Sequence, residues 1–393
     1  MRATLFLLAL LGFNLSQGAD VGCNLSYDLN GWGTCTQNGC CEFTAQNTDP
    51  SLCDGSGETC CYSTDLCPPY GPDFCFRTYG TWVSRYNFHA SESEVHSGFQ
   101  ALKDKGITRV YFNIWADGSI YANSATAINN GASFIRDSLQ WAVSSARTLG
   151  LEIYAWFEYG TQAHYGTSPD NSFSAELVIK DWLLYNLVDG QKVYTTPDGG
   201  NYVWTDPTNP AVQQFFADMT ADIVRNYDLD GIQYDDHMAM PNGFDTVDNI
   251  GQSTRFTIME EFMLKIRDAV YSAAPGTKIS YSPSPISFSE THHNVRWENY
   301  LLDGIVDEVA PQYYRTTAGD YLNTLNQDLP YVQGHQTAML GGIRLSGSGG
   351  ATPSGEVDRM IEISYEKKLK GVSFWFADDI ILGTYVPPTF VYC

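Results

Sequence analysis

From Thr78 onward the chain repeats one phrase: a short run rich in β-branched and aromatic residues, then a longer amphipathic stretch. Alternation of this kind predicts parallel βα units, because each strand reaches its parallel neighbour through a helix that covers the sheet. We place strands at 82–88, 108–115, 151–158, 230–236, 278–283, 306–314, 337–343 and 371–377, with helices near 92–104, 133–149, 208–227, 254–274, 318–328 and 355–369. Eight such strands close into a (β/α)8 TIM barrel. An open doubly wound sheet is the alternative, but no glycine-rich dinucleotide turn follows the first strand. Asp206-Pro207-Thr208-Asn209-Pro210 supplies the capping and proline chemistry that opens the helix before the fourth strand. Residues 160–205 are long and aromatic, and we read them as an excursion after the third strand that walls the active-site face.

The N-terminal part is of another kind. Arg2, the apolar run Leu5–Phe13 and the small residues of Ser16-Gln17-Gly18 follow one another as in a secretory signal. The run is short of the ~20 apolar residues that span a bilayer, so we expect an exported, extracellular protein with no membrane insertion. Nine of the ten cysteines lie between Cys23 and Cys75, which predicts a disulfide framework in a segment too small to bury a core. The adjacent pairs Cys40-Cys41 and Cys60-Cys61 lack the spacing of zinc ribbons. The expected organisation is therefore a signal peptide over 1–18, a small disulfide-rich module over 19–77 and the barrel over 78–393. Asn24-Leu25-Ser26 is an acceptor for N-glycosylation in a eukaryotic host.

A net charge of −23 argues against nucleic acid, whose phosphates demand a basic footprint, and disfavours polyanionic substrates. The 54 aromatic residues (25 Tyr, 20 Phe, 9 Trp) suit both a packed core and the apolar faces of sugar rings. A glycan substrate and a monomeric chain are the expectation.

Barrel enzymes work at the C-terminal ends of their strands, and glycosidic cleavage needs carboxylates there. Strand four ends on Asp235-Asp236-His237 and strand three on Glu158; strand two is followed by Asp117, and strand eight runs into Asp378-Asp379. Alternation along strand four puts Ile232 and Tyr234 on the helix side and Gln233 and Asp235 in the lumen. By the same parity Tyr111, Asn113, Trp115 and Asp117 align on strand two, and Tyr154, Trp156 and Glu158 on strand three. Any one strand-end acid can equally cap a helix, but Glu158 precedes Tyr159-Gly160 and a long loop. The reading is a two-carboxylate site. Asp235 is nucleophile or base, Glu158 is general acid, and Asp236 and Asp379 are its substitutes. Trp115, Trp156, Tyr314 and Trp375 line sugar subsites, with Tyr154, Asp117 and His237 beside them.

No HxH pair or HExxH helix delivers imidazoles to zinc, and no GxSxG elbow is present. Neither metal nor cofactor is expected. A carbohydrate-binding protein with a degenerate barrel is the competing function.

The segments Tyr202–Val212 and Ile223–Asp236, together with Leu151–Phe157, Tyr281-Ser282-Pro283 and Ala310-Pro311-Gln312-Tyr313-Tyr314, resemble the glycosyl-hydrolase-like family 10. The resemblance covers most of residues 80–380 in the family's order. It implies a (β/α)8 barrel acting on glycans, with characterised relatives cleaving peptidoglycan strands. Asp235 falls on the family's strand-four Asp, and Gln312 and Tyr314 lie within a shared motif at strand six. The chain departs from the pattern at His237, where the family carries an aromatic, and in its N-terminal cysteine block.

Nine cysteines cannot all pair among themselves. We expect Cys393, the last residue, to close the set. Peptide mapping of the unreduced protein checks this, and recovery of Cys393 as a free thiol would overturn it.

Overall fold

The computed structural model describes residues 78–387 apart from 87–88, 197–200 and 348–349, together with the backbone of three short strands nearer the N-terminus. Those three, Gly22–Asn24, Trp32–Thr36 and Thr59–Cys61, form a small antiparallel sheet of their own. The signal segment, the cysteine side chains and Cys393 lie outside the described residues.

The main body is an eight-stranded parallel barrel: β1 (Thr78–Val83), β2 (Arg109–Asn113), β3 (Glu152–Phe157), β4 (Gly231–Asp235), β5 (Lys278–Ser282), β6 (Glu308–Val309), β7 (Leu340–Arg344) and β8 (Gly371–Trp375). Hydrogen-bonded neighbours run β6-β5-β4-β3-β2-β1-β8-β7. Parallel bridges Val309–Met339 and Gln312–Gly342 join β6 to β7 and complete the ring. Outside it pack α1 (Glu92–Asp104), α2 (Ser138–Leu149), α3 (Pro210–Asn226), α4 (Gln252–Ala273), α5 (Trp297–Leu302), α6 (Ala318–Asp328), α7 (Ser354–Glu366) and α8 (Ala377–Ile381). The helix before β4 starts as its sequence requires: the Asn209 side chain accepts from Ala211 N–H, and Pro210 opens the first turn, where it wastes no donor.

Several boundaries move from their expected places, each for a local reason. β1 begins at Thr78 rather than Trp82, because all six residues Thr78–Val83 are buried and a strand covered on both faces lacks alternation. α2 begins at Ser138 rather than 133, because the Asp137 side chain caps it, while Ser133 and Phe134 pair with Ser119 and Ile120. β6 shrinks to two residues because Pro311 has no N–H to extend the ladder.

The lumen is filled in layers by residues of one parity. At the bottom Arg109 makes ion pairs with Glu308 (2.5 Å) and Glu152 (2.7 Å), and Glu308 also binds Lys370. The guanidinium lies 4.3 Å from the centre of the Tyr154 ring. Above it Tyr111 stacks on Trp82 at 5.4 Å, and the Trp82 indole donates to Gln233 Oε1, whose amide donates to Ser280 Oγ (2.9 Å). Tyr234 faces the other way, stacked on Phe157 and bonded to Thr220 of α3. Small residues on the lumen face make room for these rings: a Cβ on Gly80 would stand 2.9 Å from Tyr111 Cε2, and one on Gly231 would overlap the Tyr154 ring.

Arg109 and Glu308 are each 1% exposed, so removing Arg109 takes one of two cations from a buried carboxylate and leaves it with the more exposed Lys370. Arg109→Met is expected to cost about 3–5 kcal/mol in denaturant unfolding. Arg109→Met combined with Glu308→Leu should recover much of that loss.

Candidate active site

The upper lumen opens at the ends of β2, β3, β4 and β6. Asp235, the last residue of β4, is 6% exposed and collects three N–H donors. They are the Trp156 indole on Oδ2 (2.9 Å), and on Oδ1 the Gln312 side-chain amide and the Asp236 backbone N–H (2.7 Å). Two of these come from neighbouring parts of the wall, Trp156 from β3 and Gln312 from just past β6, so the carboxylate is fixed by barrel closure rather than by its own rotamer alone. Burial raises the pKa of Asp235, and the adjacent Asp236 carboxylate adds to the rise, with Glu158 contributing. Asp236 turns away, accepting from Ser284 Oγ (2.8 Å), with His237 Nδ1 at 3.8 Å. Burial would lift its pKa too, but His237 and the Ser284 hydroxyl outweigh it and leave Asp236 below the usual range.

Glu158 stands one residue past β3, its carboxylate accepting from Asn113 Nδ2 at the top of β2. Burial pushes its pKa up to about 7, against the opposing pull of Arg85 and the Asn113 amide. The site therefore holds a partly buried carboxylate that is half protonated near neutrality beside a second carboxylate furnished with donors. That pairing is what acid–base cleavage asks for.

The excursion after β3 is bolted to this rim. Gly160 has φ +43°, and a Cβ there would collide with the backbone of His237 and Met238. Thr161 Oγ1 bonds the carbonyls of His237 (2.8 Å) and Ala239 (2.7 Å), while Thr205 N–H and Oγ1 both donate to Thr161 O. Between those ends Gln162–Tyr165 pairs antiparallel with Tyr202–Trp204. His164, 13% exposed at the side chain, bridges Asp117 (2.7 Å) and Asp170 (2.8 Å). Among the described residues no cluster of His, Cys, Asp and Glu is arranged to hold a metal, and no helix is long and apolar enough to cross a membrane.

A family model described as Glycosyl hydrolase-like 10 matches residues 79–344. The chain belongs to that family. Among curated proteins it is similar to Glycosyl hydrolase DigH of Escherichia coli strain K12, at 22% identity over 278 residues, and the match spans 59% of this chain and 62% of the relative. Among solved structures it is similar to the PgaB (BpsB) glycoside hydrolase domain from Bordetella bronchiseptica. That likeness has a TM-score of 0.59 at 12% identity, covering 78% of this chain and 95% of the other. The catalytic domain of beta-amylase from Paenibacillus polymyxa matches with a TM-score of 0.53 at 9% identity, over 78% and 94%. These likenesses bear on the fold of this Glycosyl hydrolase-like 10 barrel.

The residues singled out from sequence divide between the rim and the interior. Asp235, Asp236, Glu158, Gln312, His237 and Trp156 come together at the mouth. Tyr314 and Trp375 adjoin them: Trp375 packs on Trp156 (5.8 Å) and Tyr314 (6.4 Å). Trp115 does not reach the mouth. β2 ends at Asn113, so parity fails beyond it, and the Trp115 ring is buried against Phe173, Phe215 and Phe216. Tyr154 lies too deep, over Arg109. Asp117 is a rim residue with φ +53° that holds His164 and Tyr165 N–H. Asp379 binds Ser346 and Thr384 beside β8. Two residues went unassigned: Asn113, which lumen parity above Tyr111 had already marked, and Arg85, which a strand drawn over 82–88 hid.

Trp156→Phe keeps the ring but removes one donor from Asp235. The carboxyl pKa of Asp235 should rise further, which carbon-detected titration of the aspartates would measure. An unchanged Asp235 titration would show that the indole N–H plays no part in holding the anion.

Proposed function

We propose that this Glycosyl hydrolase-like 10 barrel is a glycoside hydrolase that cleaves O-glycosidic bonds of a polysaccharide by two-carboxylate chemistry. The observation that carries the reading is the pairing of Glu158 and Asp235 at one mouth with unlike sets of partners. Desolvation lifts the pKa of the partly exposed Glu158 to about 7. Burial raises Asp235 as well, but three N–H donors meet its oxygens and favour its anion. In the proposed reaction Glu158 gives its proton to the departing glycosidic oxygen as the C–O bond breaks. Either Asp235 takes a proton from a water that attacks the anomeric carbon, or Asp235 itself attacks and the resulting glycosyl ester is hydrolysed by a water that gives its proton back to Glu158. Gln312 and Trp156 hold the Asp235 oxygens in place, and Asp236, tied to Ser284 and His237, keeps a second negative charge beside a developing oxocarbenium ion. The aromatic wall of Trp375 and Tyr314 offers faces to the sugar at the cleavage point. The excursion over residues 160–205 fits an extended cleft and internal cleavage.

Export from the cell belongs to the same proposal and rests on the N-terminal signal pattern and on the cysteine-dense segment, read as disulfide-paired. The chain spans about 62% of the length of the curated relatives it matches, so its substrate is argued from its own residues.

Asp235→Asn and Glu158→Gln test the reading against a panel of defined glycans, with each variant expected to lose about 10²–10⁴-fold in kcat/KM. The pH profile carries its own sign. Asp235 must be ionised, and its raised pKa places the acidic limb above the ordinary Asp value. Glu158 must be protonated, so activity falls as pH rises through about 7. Polysaccharide binding without turnover by the native protein would favour the carbohydrate-binding alternative.

A further inference from the structure

A series of aromatic side chains, joined across the Arg85 guanidinium, runs along the rim beside Glu158. The Arg85 guanidinium lies 4.9 Å from the centre of the Tyr86 ring and 5.3 Å from that of Tyr159. Tyr159 is 6.1 Å from His237, His237 is 6.0 Å from Tyr202, and Tyr202 is 5.3 Å from Tyr165. His237 Nδ1 sits 3.4 Å from the Glu158 carbonyl, so the series passes alongside the proposed acid. Its two ends are open to solvent: Tyr86 is 80% exposed, Tyr165 54% and Tyr202 37%. Solvent-facing aromatics grouped in this way mark a binding surface rather than a core.

The surface is also held stiff. Tyr165 and Tyr202 are cross-strand partners in the excursion hairpin. Tyr165 N–H is fastened to Asp117, and Asp117 lies 3.6 Å from Arg85. The hairpin ends are locked to each other and to the turn after β4 by Thr161 and Thr205. Rings in fixed positions bind at little entropic cost.

We infer that this rim strip is a track for an extended chain of uncharged pyranose rings, lying on either side of the bond that Glu158 and Asp235 would cleave. The exposed rings at its two ends, Tyr86 on one side and Tyr165 with Tyr202 on the other, offer apolar surface to separate sugars of one chain, while the tilted rings between them form its floor. Charge sets the class. Asp117, Asp170, Asp235 and Asp236 border the strip, and the cation within it, Arg85, is itself paired with Asp117. A polyuronate would meet repulsion there. The inference deepens the proposed glycosidase reading and rests on it for the position of the cleaved bond, but not for the binding.

The test uses the full-length protein carrying Asp235→Asn, titrated calorimetrically with cellohexaose, chitohexaose and maltohexaose, with hexagalacturonate as the charged control. At least one neutral hexamer is expected to bind, and hexagalacturonate is not. Tyr202→Ala and Tyr165→Ala should each weaken the neutral hexamer about tenfold, as loss of an anchoring aromatic does. Tyr202→Phe should restore it, and the matching disaccharide should be indifferent to Tyr86→Ala. Equal affinity of the alanine variants and the parent, or binding by hexagalacturonate alone, would overturn the track. So would failure of all three neutral hexamers to bind. Loss of binding in Tyr202→Ala while the native protein hydrolyses no glycan would overturn the catalytic reading and leave the track standing.

Discussion

The mouth of this barrel depends on a charge buried at its floor. Arg109, paired with Glu308 and Glu152, sits where most barrels place aliphatic side chains, and the rings of Tyr154 and Tyr111 rest on it. Each layer then determines the next. Tyr111 supports Trp82, the Trp82 indole fixes Gln233, and Trp156 in the layer above turns its N–H to Asp235. A lumen built from rings and hydrogen bonds has few alternative packings, because every polar atom moved from its place must find another partner. The precision of the upper carboxylates is inherited from this column.

Strands three and four were readable in the sequence because both keep alternation to their ends. Ile232 and Tyr234 face the helices, and Gln233 and Asp235 face the lumen. The same rule misplaced Trp115, because alternation holds only while the strand continues, and β2 stops at Asn113. It also shifted β1 by four residues, since Thr78–Val83 is covered on both faces and carries no period to read. That shift concealed Arg85, whose position depends on where the strand ends. Contacts of high sequence separation were beyond reach for a different reason. Nothing local says that Gln312 meets Asp235, or that His164 spans Asp117 and Asp170; only closure of the ring and folding back of the excursion bring them together.

The two proposed catalytic carboxylates differ through their partners more than through depth. Asp235 is buried and Glu158 partly so, and desolvation alone would raise both. Glu158 has one amide donor and a guanidinium at some remove, whereas Asp235 has three donors and a neighbouring acid. The acid and base roles proposed for them thus rest on unlike partners around similar side chains a strand apart.

The excursion enters and leaves the barrel at a single point, where Thr205 is hydrogen-bonded to Thr161. Between them the segment is braced again, Tyr165 N–H and the Asn171 amide on Asp117 and Leu187 N–H on Asp245. The segment is in effect a second wall braced at several points, so a change in its packing is felt directly by the turn that follows Asp235.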